Sequence, residues 1–475
     1  MPESTVASII LAAGGGTRFG EAKQLLDWEG QSLIAHTADT AWMAGLEPVI
    51  AVVGAAADAV APVLASRPVQ VVRNYRWEEG LSSSLFTGIA ALPTETDAAI
   101  FMSVDQPRIT PRLLQRFIER RHESGRGIIV PQTPDGQPGN PVLFASRYFP
   151  ELARLTGDVG GRVLLERYAD DIAYLPVDDP YTLMDVDTPD AYRRMKDYAG
   201  SHERALPFDE IRSLICDMDG VLWRGDTPLP GLHDLTALLD DRGMEYVWVT
   251  NNSSRTPEEY VQKLAHMGVT TTEEHILTAS VATAQYVADQ RPGATVFSIG
   301  GNGVREALAA EGLICCDELN ASEIDVVVVG WDQQLTWQKL ATATRLILEG
   351  ATFIATNPDL TFPLESSVAP GNGAQIAALE AATGVKAQII GKPAPPLYRK
   401  ALARMGAAPD TTLVVGDRLD TDILGGVRLG MPTALVLTGI ADREGMVGSP
   451  IRPTAVFDSL AVLIEAWRAA VTVHV

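Results

Sequence analysis

The sequence is poor in cysteine, in histidine, in basic runs and in long apolar stretches. Three cysteines stand in 475 residues: Cys216, Cys315 and Cys316. Three cannot build a disulfide framework, and an adjacent pair lacks metal-ligand spacing, so they read as reduced thiols of a cytoplasmic protein. None of the seven histidines falls in a motif, so no histidine role is assigned. Arg120–Arg121 and Arg193–Arg194 are pairs, not basic runs. No stretch approaches the ~20 apolar residues that a membrane helix needs. The apolar Ile9–Ala13 is too short for a secretory segment.

What is abundant is negative charge. Sixty acidic residues against 38 basic ones give a net charge of −22. It is spread along the chain, −8 over residues 1–200 and −14 over the remainder. Such a surface repels nucleic acid phosphates and anionic lipid, which excludes both as partners. It also repels small phosphorylated molecules. Phosphate chemistry here would need divalent metal and a few well-placed Lys or Arg. The composition, 46% hydrophobic and 21% charged, is that of a globular chain. Its length allows about three units of roughly 150 residues.

Short apolar runs alternate with longer helical periods. Strand-like runs include 7–12, 48–53, 98–103, 127–130, 213–216, 246–250, 295–299, 325–330, 352–355, 412–415 and 433–437. Most are continuously apolar and rich in branched residues, as buried parallel strands require. Amphipathic stretches such as 111–123 and 257–267 lie between them. The fold class is α/β. Residues 199–208 are polar, lack a period and read as a linker, with a fresh strand after them.

The first strand runs into Leu11-Ala12-Ala13-Gly14-Gly15-Gly16-Thr17-Arg18-Phe19-Gly20, then Glu21-Ala22-Lys23-Gln24-Leu25-Leu26. Glycines let backbone N–H groups approach an anion closely, and Arg18 and Lys23 add positive charge. Glu21-Ala22 stand where a Walker loop needs Lys-Ser/Thr, and Phe19 stands where a dinucleotide fingerprint needs glycine. The stretch resembles the signature of the MobA-like nucleotidyltransferases that activate molybdenum cofactor. Five later segments are similar to that family in order: Asn74–Leu85, Asp105-Gln106-Pro107, Gly139–Phe144, Gly157–Arg162 and Asp185–Asp190.

The resemblance spans nearly all of residues 5–197 and favours the cytidylyltransferase branch. It implies a Rossmann-like (GT-A-like) domain over residues 1–198. An acceptor phosphate would attack the α-phosphate of an NTP, here CTP, and release pyrophosphate. Leu11, Ala12, Ala13, Gly14, Gly15, Gly16, Arg18, Ser84 and Asp105 would bind the nucleotide. Lys23 would sit near the α-phosphate, Asp105 and Asp187 would hold Mg²⁺, and Asn140 and Asp158 would face the acceptor. The sequence departs from the family at Asn140, where histidine is usual, and at Gly161, where alanine is. Both fall in the acceptor region.

A second constellation begins where the run Ser213–Cys216 ends in Asp217-Met218-Asp219-Gly220-Val221-Leu222. Acids at i and i+2 on an extended strand share a side, ~6–7 Å apart. Thr250-Asn251-Asn252 closes a later run, Gly391-Lys392-Pro393 follows another, and Gly416-Asp417-Arg418-Leu419-Asp420-Thr421-Asp422 follows a fourth. Groups at the carboxyl ends of parallel strands build sites in open α/β sheets.

Together these four segments resemble the haloacid dehalogenase superfamily, and specifically its NagD-like phosphatases with a large α/β cap. The resemblance implies a core over 209–282 and 386–475 with the cap at 283–385. It implies Asp217 as nucleophile, Asp219 as general acid and base, and Thr250, Asn251 and Lys392 as phosphoryl ligands. Mg²⁺ would be held by Asp217, the Asp219 carbonyl and Asp417, with Asp422 in support. Asn357 and Asp359 are substrate-contact candidates. Ser298–Gly303 lacks the third glycine of a nucleotide loop and reads as an ordinary turn.

Three whole-chain readings follow. The chain is a bifunctional transferase and phosphatase; or its first half acts on a sugar or polyol phosphate in place of molybdopterin; or that half is a vestigial, regulatory nucleotide-binding domain. The expected partners are an NTP and small phosphorylated molecules, and a homodimer is left open.

Overall fold

The computed structural model describes residues 5–15, 22–200, 206–316, 323–363, 368–446 and 449–472. Gly16 and Arg18 lie outside these, as do residues 201–205 of the expected linker. The chain divides into two compact units, 3–203 and 204–475.

The first unit is built on seven strands: β1 (Val6–Ala12), β2 (Val49–Val53), β3 (Gln70–Arg73), β4 (Ala98–Ser103), β5 (Ile128–Gln132), β6 (Val142–Ala145) and β7 (Ile172–Pro176). Their order is β3-β2-β1-β4-β6-β5-β7. The first four neighbours run parallel, while β6 runs antiparallel between β4 and β5. Val6, Ile10 and Ala12 of β1 enter one core, and Ala7 and Ile9 enter another on the opposite face. Burial on both faces is why this strand is apolar throughout and does not alternate.

The second unit contains β8 (Ser213–Asp217), β9 (Glu245–Thr250), β10 (Ile276–Thr278), β11 (Thr295–Ile299), β12 (Ile314–Cys316), β13 (Val326–Val329), β14 (Thr352–Ala355), β15 (Gln388–Ile389), β16 (Thr412–Gly416), β17 (Thr433–Val436) and β18 (Ala455–Phe457). One parallel sheet has the order β10-β9-β8-β16-β17-β18. A second, β12-β11-β13-β14-β15, is inserted in the chain between β10 and β16. Its last strand, Gln388–Ile389, lies beyond residue 385 and pairs with β14. The α/β class is therefore realised in both units.

The helix Pro257–His266 shows why the local pattern reads correctly. Thr256 and Glu259 cap each other's backbone N–H groups, and Pro257 fills the first turn. Around the expected linker, a helix runs from Pro189 to Gly200. Leu206 and Phe208 already pack in the second unit's core, with the Phe208 ring stacked 5.3 Å from Trp467. No helix among the described residues is long and apolar enough to cross a membrane.

Candidate active sites

In the first unit a cavity of about 1030 Å³ is lined by the end of β1, the end of β4 and the loops beyond them. Leu11, Ala12, Ala13, Gly14 and Gly15 form part of its wall. The buried Gln24 shapes that wall, its Nε2 donating to the Ala12 and Gly14 carbonyls at 2.8 Å each. Lys23 Nζ reaches Asp105 Oδ2 at 2.7 Å and Asp187 Oδ1 at 2.9 Å. Ser103 Oγ donates to the other Asp105 oxygen. The Val186 N–H donates to the Asp105 carbonyl at 2.8 Å, which ties the distant segment 185–187 to the end of β4. Asp185 joins the group. Its outer edge is exposed, but partial burial, then the charges of Asp105 and Asp187, push its carboxyl up to about 6.

Opposite stands the turn before the helix Leu81–Ala90. Asn74, buried, donates to the hydroxyls of Ser83 and Ser84 at 2.8 and 3.0 Å. Gly80 has φ +101°, and a Cβ there would lie 2.7 Å from backbone atoms of Gly157 and Asp158. Only glycine lets these two loops meet. Asp158 Oδ1 then accepts from the Leu81 N–H at 3.3 Å. Asn140 also lines the cavity and is exposed. A Cβ on Gly161 would stand 3.0 Å from the Phe144 ring, so the alanine usual in the family would require that ring to give slightly.

In the second unit a cavity of about 920 Å³ lies over the ends of β8, β9 and β16 and reaches the inserted sheet's loops. Asp217 ends β8, and Asp417 and Asp422 follow β16. Carboxylate oxygens of these three buried residues lie within 4.8 Å of one another. Lys392 Nζ donates to Asp217 and, at 2.7 Å, to Asp422. Burial alone would lower the Lys392 pKa, but Asp217 and Asp422 outweigh it and hold the ammonium charged. Burial pushes the Asp217 carboxyl up, against the pull of Lys392. Burial, then Asp422, pushes Asp417 up to about 6. Asp417 Oδ2 accepts from the Ile440 N–H at 2.8 Å. A Cβ on Gly220, whose φ is +86°, would come within 2.5 Å of the same oxygen.

Asn251 positions the lysine. Its Oδ1 accepts from the Lys392 N–H at 2.8 Å, and its Nδ2 donates to the Lys392 carbonyl at 3.0 Å and to Asp359 Oδ2 at 3.1 Å. Asn357 Nδ2 donates to the Asn251 carbonyl at 2.7 Å. Thr250, buried, accepts from the Asn252 N–H at 3.1 Å. Asp219 is exposed toward the cavity.

Comparison with known proteins agrees with this division. Residues 8–172 match the family described as MobA-like NTP transferase domain. Residues 214–314 match the haloacid dehalogenase-like hydrolase family, and 389–463 match a second description of that family. An acid sugar phosphatase from Staphylococcus aureus is 39% identical over 251 residues, covering 53% of this chain and 96% of the relative. The chain belongs to the haloacid dehalogenase-like hydrolases. Ahead of its hydrolase part it carries a MobA-like NTP transferase domain. Two solved structures of similar fold are NagD from E. coli K-12 and a glycerol phosphate phosphatase from Mycobacterium tuberculosis in complex with magnesium. NagD is 33% identical, with TM-score 0.50, covering 53% of this chain and 97% of that one. The glycerol phosphate phosphatase is 36% identical, with TM-score 0.50, covering 54% and 77%.

The structure gathers nearly all the expected residues of this hydrolase and its transferase domain. Leu11 to Gly15, Lys23, Ser84, Asp105, Asn140, Asp158 and Asp187 line one cavity. Asp217, Asp219, Thr250, Asn251, Asn357, Asp359, Lys392, Asp417 and Asp422 line the other. The Asn357 side chain is buried and engaged by the protein itself, its Nδ2 on the Asn251 carbonyl and its Oδ1 accepting from the Asp359 N–H at 3.2 Å, which fits it to shape the site's wall and not to meet a substrate. Gln24, Trp223 and Arg418 carry no role in the sequence reading, yet they border the sites, and Asp185 interacts with the charges of Asp105 and Asp187. Asp185 was findable, two residues before Asp187. The Arg418 guanidinium lies 3.6 Å from Asp359, a contact that no sequence spacing announces.

Proposed function

We infer two activities for this enzyme, one for its NTP transferase domain and one for its phosphatase part. We propose that the second unit hydrolyses phosphomonoesters through an aspartyl-phosphate on Asp217. The observation that carries this is Lys392 bridging Asp217 and Asp422, with Asp417 beside them. An Asp217 oxygen forms a bond to phosphorus as the bond to the leaving alkoxide breaks, and Asp219 gives that alkoxide its proton. Asp219 then takes a proton from water, whose oxygen attacks phosphorus and releases Asp217. Thr250 and the Asn251 backbone hold phosphoryl oxygens, and Lys392 offsets their charge.

The donor set fits Mg²⁺. Three carboxylates face one ammonium, which leaves excess negative charge on hard oxygen donors at close quarters. Asp217, Asp417 and Asp422, with the Asp219 carbonyl, would hold the ion, and Asp105 and Asp187 would hold one in the transferase domain. In both places Mg²⁺ would supply positive charge to phosphate oxygens. An acid whose folded pKa is raised binds an extra proton in the folded state. Stability from Asp417 therefore falls as pH rises from its ordinary 3.8 through about 6. A cation relieves the ionised form, so the rise in Tm on adding Mg²⁺ should be larger at pH 7.5 than at pH 5. Thermal melts at both pH values check this, and an equal shift would count against these carboxylates as ligands.

We also propose that the first unit transfers a nucleotidyl group from an NTP, with CTP the first choice, to a phosphorylated acceptor. An acceptor phosphate oxygen bonds to the α-phosphorus and pyrophosphate leaves. Lys23 would exchange its two carboxylates for the α-phosphate as the nucleotide enters. Asn140 in place of histidine favours a sugar or polyol phosphate over molybdopterin as acceptor. The relatives' names, acid sugar phosphatase and glycerol phosphate phosphatase, support such compounds for the chain's hydrolase part too. The test is pyrophosphate release with each of four NTPs and a panel of phosphomonoesters. CTP with a polyol or sugar phosphate is expected to turn over. Turnover with molybdopterin alone would refute this acceptor, and no turnover or nucleotide-dependent stabilisation would mark a vestigial domain.

A further inference from the structure

Asp219 does not stand free in its cavity. The Trp223 indole Nε1 donates to Asp219 Oδ1 at 2.7 Å. The turn between them makes this possible: the Leu222 N–H returns to the Met218 carbonyl at 2.8 Å, and the Gly220 N–H to the Trp223 carbonyl at 2.8 Å. Trp223 is fully buried and stacks on Tyr260, rings 6.3 Å apart and 22° from parallel, so the indole cannot swing away. Lys263 Nζ lies over the same indole, 4.6 Å from its centroid, and is held there by the Gly225 carbonyl at 2.7 Å. A cation on a π face draws electron density from the ring and makes its N–H a better donor.

We propose that Trp223 is a positioning residue that decides which oxygen of Asp219 carries the transferable proton. The inference rests on the reading of Asp219 as general acid. An indole N–H can only donate. The oxygen that accepts it is held as the carbonyl-type oxygen, so the proton resides on Oδ2. A carboxyl free to rotate would present either oxygen, and much of the time the wrong one. The buried ring thus converts an exposed, mobile acid into one with a set direction.

The test uses leaving groups. A nitrophenolate departs without help, whereas an alkoxide must receive a proton as it leaves. The ratio kcat/KM reports the steps up to phosphoryl transfer onto Asp217. In the full-length protein, Trp223→Phe should lower kcat/KM for glycerol 3-phosphate about 30-fold and for p-nitrophenyl phosphate less than about 3-fold, since positioned general acids contribute about 10²–10⁴-fold. Asp219→Asn should show the same selectivity with a larger loss. If Asp219→Asn affects both substrates alike, its reading as the acid fails. If Asp219→Asn is selective and Trp223→Phe is not, the reading stands and the proposal is overturned. Should Trp223→Phe fail to fold, benzothienylalanine at 223 keeps both rings and removes only the N–H. The same selectivity is required of it, and wild-type behaviour there overturns the proposal.

Discussion

Asp217→Asn is expected to lower phosphomonoester turnover by at least about 10⁴-fold, because it removes the atom proposed to bond to phosphorus. The loss should come without unfolding. Asp217 is one of three clustered buried carboxylates, of which it and Asp422 share Lys392 as their charged partner, and an asparagine keeps its shape. Removing one negative charge from an overcharged cluster relieves repulsion, so Tm should hold or rise. Lys392 retains Asp422 at 2.7 Å, so no buried ammonium is orphaned. A stopped assay with p-nitrophenyl phosphate, beside a thermal melt, checks both halves of the expectation. A variant that is folded and keeps a tenth of wild-type turnover would remove Asp217 from its proposed role. Nucleotidyl transfer by the same variant should be unchanged, since its residues lie in the other unit.

Lys23→Met is the counterpart in the first unit. It should reduce pyrophosphate release by about 10²–10³-fold, the usual cost of removing one preorganised charged donor from a site of this kind. Lys23 is the only cation that the described structure places in contact with both Asp105 and Asp187. Without it the Asp105 and Asp187 carboxylates lose the ammonium between them, with the charge of Asp185 close by. Extra Mg²⁺ should improve nucleotide binding without restoring turnover, if Lys23 acts as proposed at the α-phosphate, where the added ion cannot replace it. Initial rates across Mg²⁺ concentrations measure this. Full recovery at high Mg²⁺ would make Lys23 a simple counter-ion. Phosphatase activity is the internal control and should not change.

These expectations stand on parts of the chain that differ in how plainly they could be read. β1 and β8 were legible because both faces of each are buried, which forces an unbroken apolar run. The edge strand Gln70–Arg73 carries exposed residues at both ends and forms because β2 offers it a partner. Asp217 and Asp219 were legible as a pair, but the structure gives them different surroundings: Asp217 is buried against Lys392, while Asp219 is exposed and held by an indole. Strand periodicity places two side chains on one side. It says nothing about what waits there.

The sequence by itself determined that this is an α/β chain with two sets of strand-end carboxylates, each with a lysine suited to phosphate. It did so because short buried strands and the residues just past them are local in the chain. Tertiary structure alone decided which of those groups meet. Asp217 and Asp422 share Lys392 across 175 and 30 residues of separation because β8 and β16 are neighbours in the sheet. Asp187 meets Lys23 across 164 residues because a backbone bond from Val186 brings it to the end of β4. The acidic balance is spread along the chain, but at these two places carboxylates gather around one buried or half-buried ammonium each. Strand order and backbone pairing set those encounters, and neither is written in the spacing of residues along the chain.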